Sequence, residues 1–338
     1  VYKRQVLGYT GKPDSYYNAI INWVKQRYDL IVTKEVINFV PGIVPGIGMA
    51  MNCFTQKGDK VMIQPPVYHP FAWVTTRNER TLVINPLKWE NGMYRMDLDA
   101  FREQIKGCKL FILCNPHNPG GVVWTEAELR AIADICYDEK VLVFSDEIHA
   151  DLTLPPHTHR PFATVSEKAR MNSVTFMSPS KAFNMPGLSA SHALIFNEDL
   201  RKRFRIYMDA GELDMGHVFA FLSVEAAYSH GTEWLDQCLA YIQGNIDFVD
   251  EFLKKHAPKI KAIRPEASYL VWLDCRELEL SQKDLNEFFV DKAHLALNDG
   301  EMFGKEGIGF MRLNVASPRC IIEKAMKQLA DAYQLYIK

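Results

Sequence analysis

Lys181 lies in Ser178-Pro179-Ser180-Lys181-Ala182-Phe183-Asn184, directly after the apolar run Ser173-Val174-Thr175-Phe176-Met177. Most lysines sit on a solvated face, but one placed at a strand end among small hydroxyl residues can do chemistry. The hydroxyls suit a phosphate, and an amine in a partly desolvated pocket can lose its proton and form a Schiff base. Together these properties suggest pyridoxal 5'-phosphate (PLP), a cofactor that also needs a carboxylate against its pyridine nitrogen. Asp146, 35 residues earlier, closes the run Val141-Leu142-Val143-Phe144-Ser145 and meets that need. An acid at a strand end is often only a loop or capping residue. Its pairing with Lys181 favours the chemical reading, because ligands collect beyond the carboxyl ends of strands in open parallel sheets.

The elements that must carry these residues are legible in outline. Lys109 to Cys114 reads as a strand running into Asn115-Pro116-His117-Asn118-Pro119-Gly120, a turn by its two prolines. Thr125 and Glu128 form a capping box for a helix through Cys136, so the order is strand, turn, helix, strand, a βαβ unit. Val40 to Gly48 is a glycine-rich turn opening a helix expected to end near Gly58, with Pro45 in its first turn and the amides of Ile43 and Val44 free to face a phosphate. Asp14 to Tyr28 reads as an amphipathic helix after Pro13. Alternating strands and helices fill Ile31 to about Gln237, and Trp234 to His256 forms a bridging helix with Gly244 inside it. A strand at Tyr269 to Leu273, a helix capped by Ser281 with Asp284, a strand around Arg312 and a last helix after Ser317-Pro318 complete the chain. The expected division is residues 1–28 as the remnant of an arm with the first helix, 29–237 as a large cofactor-binding domain and 238–338 as a small one.

Composition sets the bounds. The 338 residues suffice for one large and one smaller domain, 48% of them are apolar, and a net charge of −2 offers no footing for nucleic acid or a membrane surface. Seven cysteines, an odd number without a Cys-x-x-Cys pair, suggest neither a disulfide framework nor a zinc ribbon, and read as reduced cytoplasmic thiols. No apolar stretch of about 18 residues and no signal peptide is evident. His157 and His159 are flanked by Pro155, Pro156 and Pro161, so they read as loop residues and no metal is expected.

The series Asn115-Pro116-His117-Asn118-Pro119-Gly120, Ser145-Asp146-Glu147-Ile148-His149, Ser178-Pro179-Ser180-Lys181 and Met311-Arg312-Leu313-Asn314 resembles the class I/II aminotransferase superfamily of PLP enzymes. Cys114 to Pro119, Ser145 to Leu152 and Lys181 to Leu188 resemble its carbon–sulfur lyase branch more narrowly, the MalY/PatB-type cystathionine β-lyases. The resemblance covers nearly the whole chain. It implies an α/β, aspartate-aminotransferase-like fold of type I, with a large domain holding a mostly parallel doubly wound sheet and a smaller C-terminal α/β domain. It also implies roles. Lys181 would hold the cofactor and move the substrate Cα proton, Asp146 would face the pyridine nitrogen, and Asn118 would face the phenolic oxygen. Tyr68 would stack on the ring, Ser178 would bind the phosphate alongside Ile43 and Val44, and Arg312 would clamp the substrate carboxylate. Tyr9 matches a tyrosine that reaches the neighbouring subunit's phosphate, which implies a homodimer.

One departure stands out: many relatives carry an arginine eight residues after the lysine, where this chain has Ser189. That favours a lyase over a transaminase and leaves the phosphate without that charge partner. The expected activity is β-elimination from cystathionine or cysteine S-conjugates to thiol, pyruvate and ammonia. The alternatives are an aminotransferase, since the same residues serve 1,3-proton transfer, and a PLP-fold regulatory binding protein. Val1-Tyr2-Lys3-Arg4-Gln5 matches the translation of a sequencing-adapter end and reads as an artefact joined to a gene that lacks the N-terminal arm of its relatives, an arm expected to cover the active site.

Overall fold

The computed structural model of the protein describes residues 8–336, so the adapter-like Val1 to Gln5 lie outside the described residues. Along the chain come α1 (Asp14–Tyr28), β1 (Ile37–Val40), α2 (Ile43–Phe54), β2 (Lys60–Ile63), α3 (Pro70–Arg77) and β3 (Thr81–Ile84). The hairpin of β4 (Lys88–Glu90) and β5 (Met93–Arg95) precedes α4 (Leu98–Gln104), β6 (Cys108–Cys114), α5 (Glu126–Asp138) and β7 (Leu142–Asp146). Then follow α6 (Glu167–Met171), β8 (Ser173–Met177), β9 (Ser191–Leu194), α7 (Glu198–Asp209), α8 (Val218–His230) and α9 (Thr232–His256). The C-terminal part holds β10 (Lys261–Ile263), β11 (Leu270–Asp274), α10 (Gln282–Glu287), β12 (Asn298–Asp299), β13 (Phe310–Asn314) and α11 (Arg319–Tyr336).

Seven strands form the main sheet in the order β1-β9-β8-β7-β6-β2-β3. β9 runs antiparallel to both neighbours and the remaining neighbours pair in parallel, so the sheet is mostly parallel. A parallel sheet is buried on both faces, which is why its strands read as unbroken apolar runs. In β6 the alternation still sorts the side chains: Leu110, Ile112 and Cys114 join one core cluster, while Phe111 and Leu113 join the other. Each such buried side chain contributes about 1.5–3 kcal/mol.

α5 carries the chain from β6 to β7, and its capping box forms as expected: Glu128 N–H donates to Thr125 Oγ1 (3.2 Å) and Thr125 N–H to Glu128 Oε2 (2.8 Å). The helix opened by Gly42 ends at Phe54 rather than near Gly58. The cause is remote in sequence. Buried Arg80 donates from Nη2 to Thr55 O (2.7 Å) and from Nε to Thr55 Oγ1 (2.9 Å), so a cation occupies the carbonyl end of α2 and Thr55 turns extended.

The second sheet, β10-β11-β13-β12, is antiparallel throughout. Its inner side shares a core with α1, α8, α9 and α11 through residues such as Trp23, Phe221, Ile246, Val271 and Met326. Register places Arg312 on β13 between Trp272 of β11 and Asn298 of β12, at the edge that faces the main sheet's carboxyl ends.

Candidate active site

A cleft of about 460 Å³ lies where the strand ends of the main sheet meet β13. It brings together Ile43, Val44, Tyr68, Asn118, Asp146, Lys181 and Arg312. Most of them arrive by the same device. Asp146 is the last residue of β7, Lys181 and Asn118 each lie four residues beyond a strand, and Ile43 opens α2 just after β1.

The start of α2 is built for an anion. Gly42, at φ 116°, turns the chain, and the first intrahelical bond runs from Gly46 N–H to Gly42 O (3.0 Å), which leaves the amides of Ile43 and Val44 without helical acceptors. Gly46 lets the helix approach this closely. A Cβ there would lie 2.9 Å from Val40 Cγ2 and 3.2 Å from Phe176 Cε1.

Electrostatics distinguish the cleft from an ordinary polar pocket. Asp146 is 4% exposed, and its Oδ1 accepts from Ile148 N–H at 3.1 Å. Among the described residues no side-chain donor bonds to it. Burial pushes its pKa up to about 7, Glu147 adds to the rise, and the Ile148 amide and Lys181 oppose it. Burial lowers the Lys181 amine, Arg312 lowers it further, and Asp146 pulls the other way. Arg312 donates from Nη1 to Asn118 Oδ1 (2.9 Å) and from Nη2 to Asn298 Oδ1 (2.7 Å), with its guanidinium 4.7 Å from the Phe303 ring centre. Its buried Nε has no partner among the described residues, and burial draws its pKa down to about 10. The Tyr68 phenol is raised, first by burial and then by Asp146. An amine eased toward neutrality, a buried acid lacking a cationic partner and an anchored guanidinium can together hold an amino acid and move a proton at its Cα.

Two expected residues lie elsewhere. Ser178 is off the cleft wall: its hydroxyl donates to Ala190 O (2.7 Å) and sits 2.9 Å from Ser180 Oγ, and Ser180 is the serine that lines the cleft. Tyr9 is 97% exposed beside Met215 and Phe219, away from this chain's own cleft. Ser189, eight residues after Lys181 and at φ 47°, lines the cleft.

His149, His69 and Tyr269 also line the cleft, and none of them is among the expected site residues. His149 is buried with Nδ1 unpartnered among the described residues, and its pKa falls to about 3, through burial first and then Lys181 and Arg312, so its imidazole is neutral. The available signal was spacing: the chain turns after β7, with Ala150 N–H donating to Glu147 O (3.0 Å), which returns His149 to the side of Asp146. Glu147 itself points inward. It accepts from Ser145 Oγ and Phe162 N–H, both at 2.8 Å, and lies 2.8 Å from His159 Nε2, so His159 braces the site from behind.

The family model for class I and II aminotransferases matches residues 3–329. The chain belongs to the class I and II aminotransferase family. Within it, the chain is 37% identical to the cystathionine β-lyase PatB of Bacillus subtilis (strain 168), over 97% of this chain and 85% of that protein. Cystalysin from Treponema denticola, whose crystal structure contains a pyridoxal 5'-phosphate cofactor, superposes with a TM-score of 0.96 at 34% identity, covering 99% of this chain and 85% of that one. The PLP-bound carbon–sulfur lyase of Staphylococcus hominis superposes with a TM-score of 0.90 at 33% identity, over 97% of this chain and 84% of that one.

Proposed function

We propose that this protein is a PLP-dependent carbon–sulfur β-lyase that cleaves cystathionine and related cysteine S-conjugates to a thiol, pyruvate and ammonia. The observation that carries the reading is the meeting of Lys181, Asp146 and Arg312 in one cleft at the N-terminus of α2. The residues suit the cofactor: the buried Asp146 lacks the cationic partner that a protonated pyridine nitrogen would be, and the free amides of Ile43 and Val44 suit a phosphate. Lys181 would hold PLP, Asn118 and Tyr68 would contact its ring, and Ser178 or Ser180 would add a hydroxyl to the phosphate side.

When bound, PLP supplies an electron sink for the pair left behind as the Cα proton departs. Arg312, braced by Asn118 and Asn298, fixes the substrate carboxylate with its planar donor pair. Lys181 Nζ takes the Cα proton, and burial, which lowers its pKa, favours the neutral amine that can do so. The C–S bond then breaks with its electron pair leaving on sulfur, and the thiolate takes up a proton. The released aminoacrylate hydrolyses to pyruvate and ammonia.

A homodimer completes this reading, supported by the outward position of Tyr9 beside exposed Met215 and Phe219. Seven unpaired cysteines support a reducing compartment, the cytoplasm, and no helix among the described residues is long and apolar enough to cross a membrane. The test is to supply PLP and assay thiol and pyruvate from cystathionine and cysteine. Both products are expected, and Lys181→Ala should abolish them. Conversion of the cofactor to its pyridoxamine form without thiol release would overturn the lyase reading in favour of transamination.

A further inference from the structure

A second pocket, of about 500 Å³, adjoins the cleft, with His69 lining both. Its walls are apolar: Ile63, Val67, Trp73, Ile84, Met302 and Phe303. The partition is well defined. The His69 ring stands 4.4 Å from Trp73 and 5.9 Å from Phe303, edge to face in both cases. Phe303 belongs to both sides of the arrangement, since its ring lies 4.7 Å from the Arg312 guanidinium while also lining the second pocket. Trp73, Ile84 and Met302 remain partly exposed there, so apolar surface is left uncovered beside a site that holds a small amino acid.

We infer that this pocket receives the sulfur-linked group of the substrate and selects cysteine conjugates whose S-substituent is bulky and apolar. The inference rests on the β-lyase reading of the neighbouring cleft. With the carboxylate on Arg312, a substituent that extends from sulfur past His69 enters a chamber lined by two aromatic rings. Moving apolar surface from water into such a chamber is favoured in proportion to its area. Glu301, Lys305 and Glu306 are the charged side chains of the lining, and the first two are exposed at its mouth. A charged distal group, such as the amino-acid end of cystathionine, would have to stay in water beside Glu301 and Lys305, since drawn into the apolar interior it would lose its hydration without a partner. S-benzyl-cysteine should therefore be cleaved with a higher kcat/KM than S-methyl-cysteine.

The experiment fills the pocket. Ala72, in α3, and Met302 both line it, so Ala72→Trp and, independently, Met302→Trp remove its volume. In the PLP-supplied protein either change should lower the ratio of kcat/KM for S-benzyl-cysteine over S-methyl-cysteine by about tenfold or more, the range that a filled or emptied apolar pocket commands. In cofactor-free protein, 4-fluorobenzyl mercaptan should show fluorine line broadening with the parent chain and lose it with the variants. An unchanged ratio, or broadening that persists in both variants, would overturn the inference. Absence of pyruvate from either conjugate with the parent protein, while the fluorine probe binds and both variants release it, would overturn the β-lyase reading and leave the apolar pocket standing.

Discussion

Asp146 carries a cost in the cofactor-free chain that its partner would remove. Its carboxyl has an ordinary value of 3.8 and stands at about 7 in the folded protein, chiefly through burial. Between those values the folded state holds more protons than the unfolded state. The contribution to stability is therefore fully present below the unfolded value and is lost as pH rises through the folded one, at up to about 1.4 kcal/mol per pH unit. Asp146→Asn, which never has to bury the charge, should accordingly gain stability relative to the parent chain between pH 4.5 and pH 8. Thermal unfolding of both cofactor-free proteins at the two pH values checks this, and a difference that does not move with pH would show that the ionised carboxylate is not costly. With PLP bound the ordering should reverse at pH 8, because the parent then has a cation to pair with. Arg312 permits a second test at this scale. Arg312→Lys keeps the charge but loses the fork that reaches Asn118 and Asn298 together. A fall in kcat/KM of about tenfold to a hundredfold, carried mostly by KM, is expected from the roughly 1.5–3 kcal/mol that a hydrogen bond to a charged group is worth. Steady-state kinetics across cystathionine concentrations would measure it.

The elements that present these residues differ in how far ahead the sequence announces them. Helix α1 and strand β8 appear at the expected residues, because their signals are local: Pro13 before one, an unbroken apolar run in the other. The end of α2 has no local signal, because Arg80, 25 residues beyond Thr55, bonds both the carbonyl and the hydroxyl of Thr55 just past the last turn. The reversal of β9 and the two-residue β12 carry no local signature, since pairing partners rather than composition define them. The same division runs through the site. Lys181 and Asp146 were legible because strand ends are, whereas the choice between Ser178 and Ser180 depends on the distant carbonyl of Ala190. Helix α2 supplies the prediction at this scale. Gly46 lies against Val40 and Phe176, both buried, so Gly46→Ala must push the helix off the sheet. A loss of about 1–3 kcal/mol is expected from overpacking. The shift would also move the amides of Ile43 and Val44, so PLP affinity, read by fluorescence titration, should fall along with the denaturation midpoint. A weaker fold with unchanged PLP affinity would separate the helix start from phosphate binding.

At the scale of the whole molecule, α8 is apolar on two faces. Ala220, Phe221, Val224 and Tyr228 are buried against the core, while Phe219 and Leu222 point outward, next to exposed Met215 and Tyr9. A surface helix ordinarily shows one apolar stripe, and a contiguous exposed apolar patch marks an interaction surface. The patch is also connected to the cleft. His217, the N-cap of α8, places Nε2 3.0 Å from Leu188 O, and Pro186 and Ser189, on either side of that residue, line the cleft. A second copy of the chain seated on this patch would rest on a segment that shapes the cofactor site, with its Tyr9 brought toward the partner's cleft. Phe219→Asp isolates this arrangement, since Phe219 is 52% exposed and contributes little to the chain's own core. Sedimentation velocity should show the parent as a dimer and the variant as a monomer with nearly unchanged thermal unfolding of the cofactor-free protein. PLP should bind the monomer about tenfold more weakly, equivalent to about 1.4 kcal/mol. A monomeric variant that binds PLP as tightly as the parent would assign each site to one chain alone, and a variant that stays dimeric would move the interface to another face.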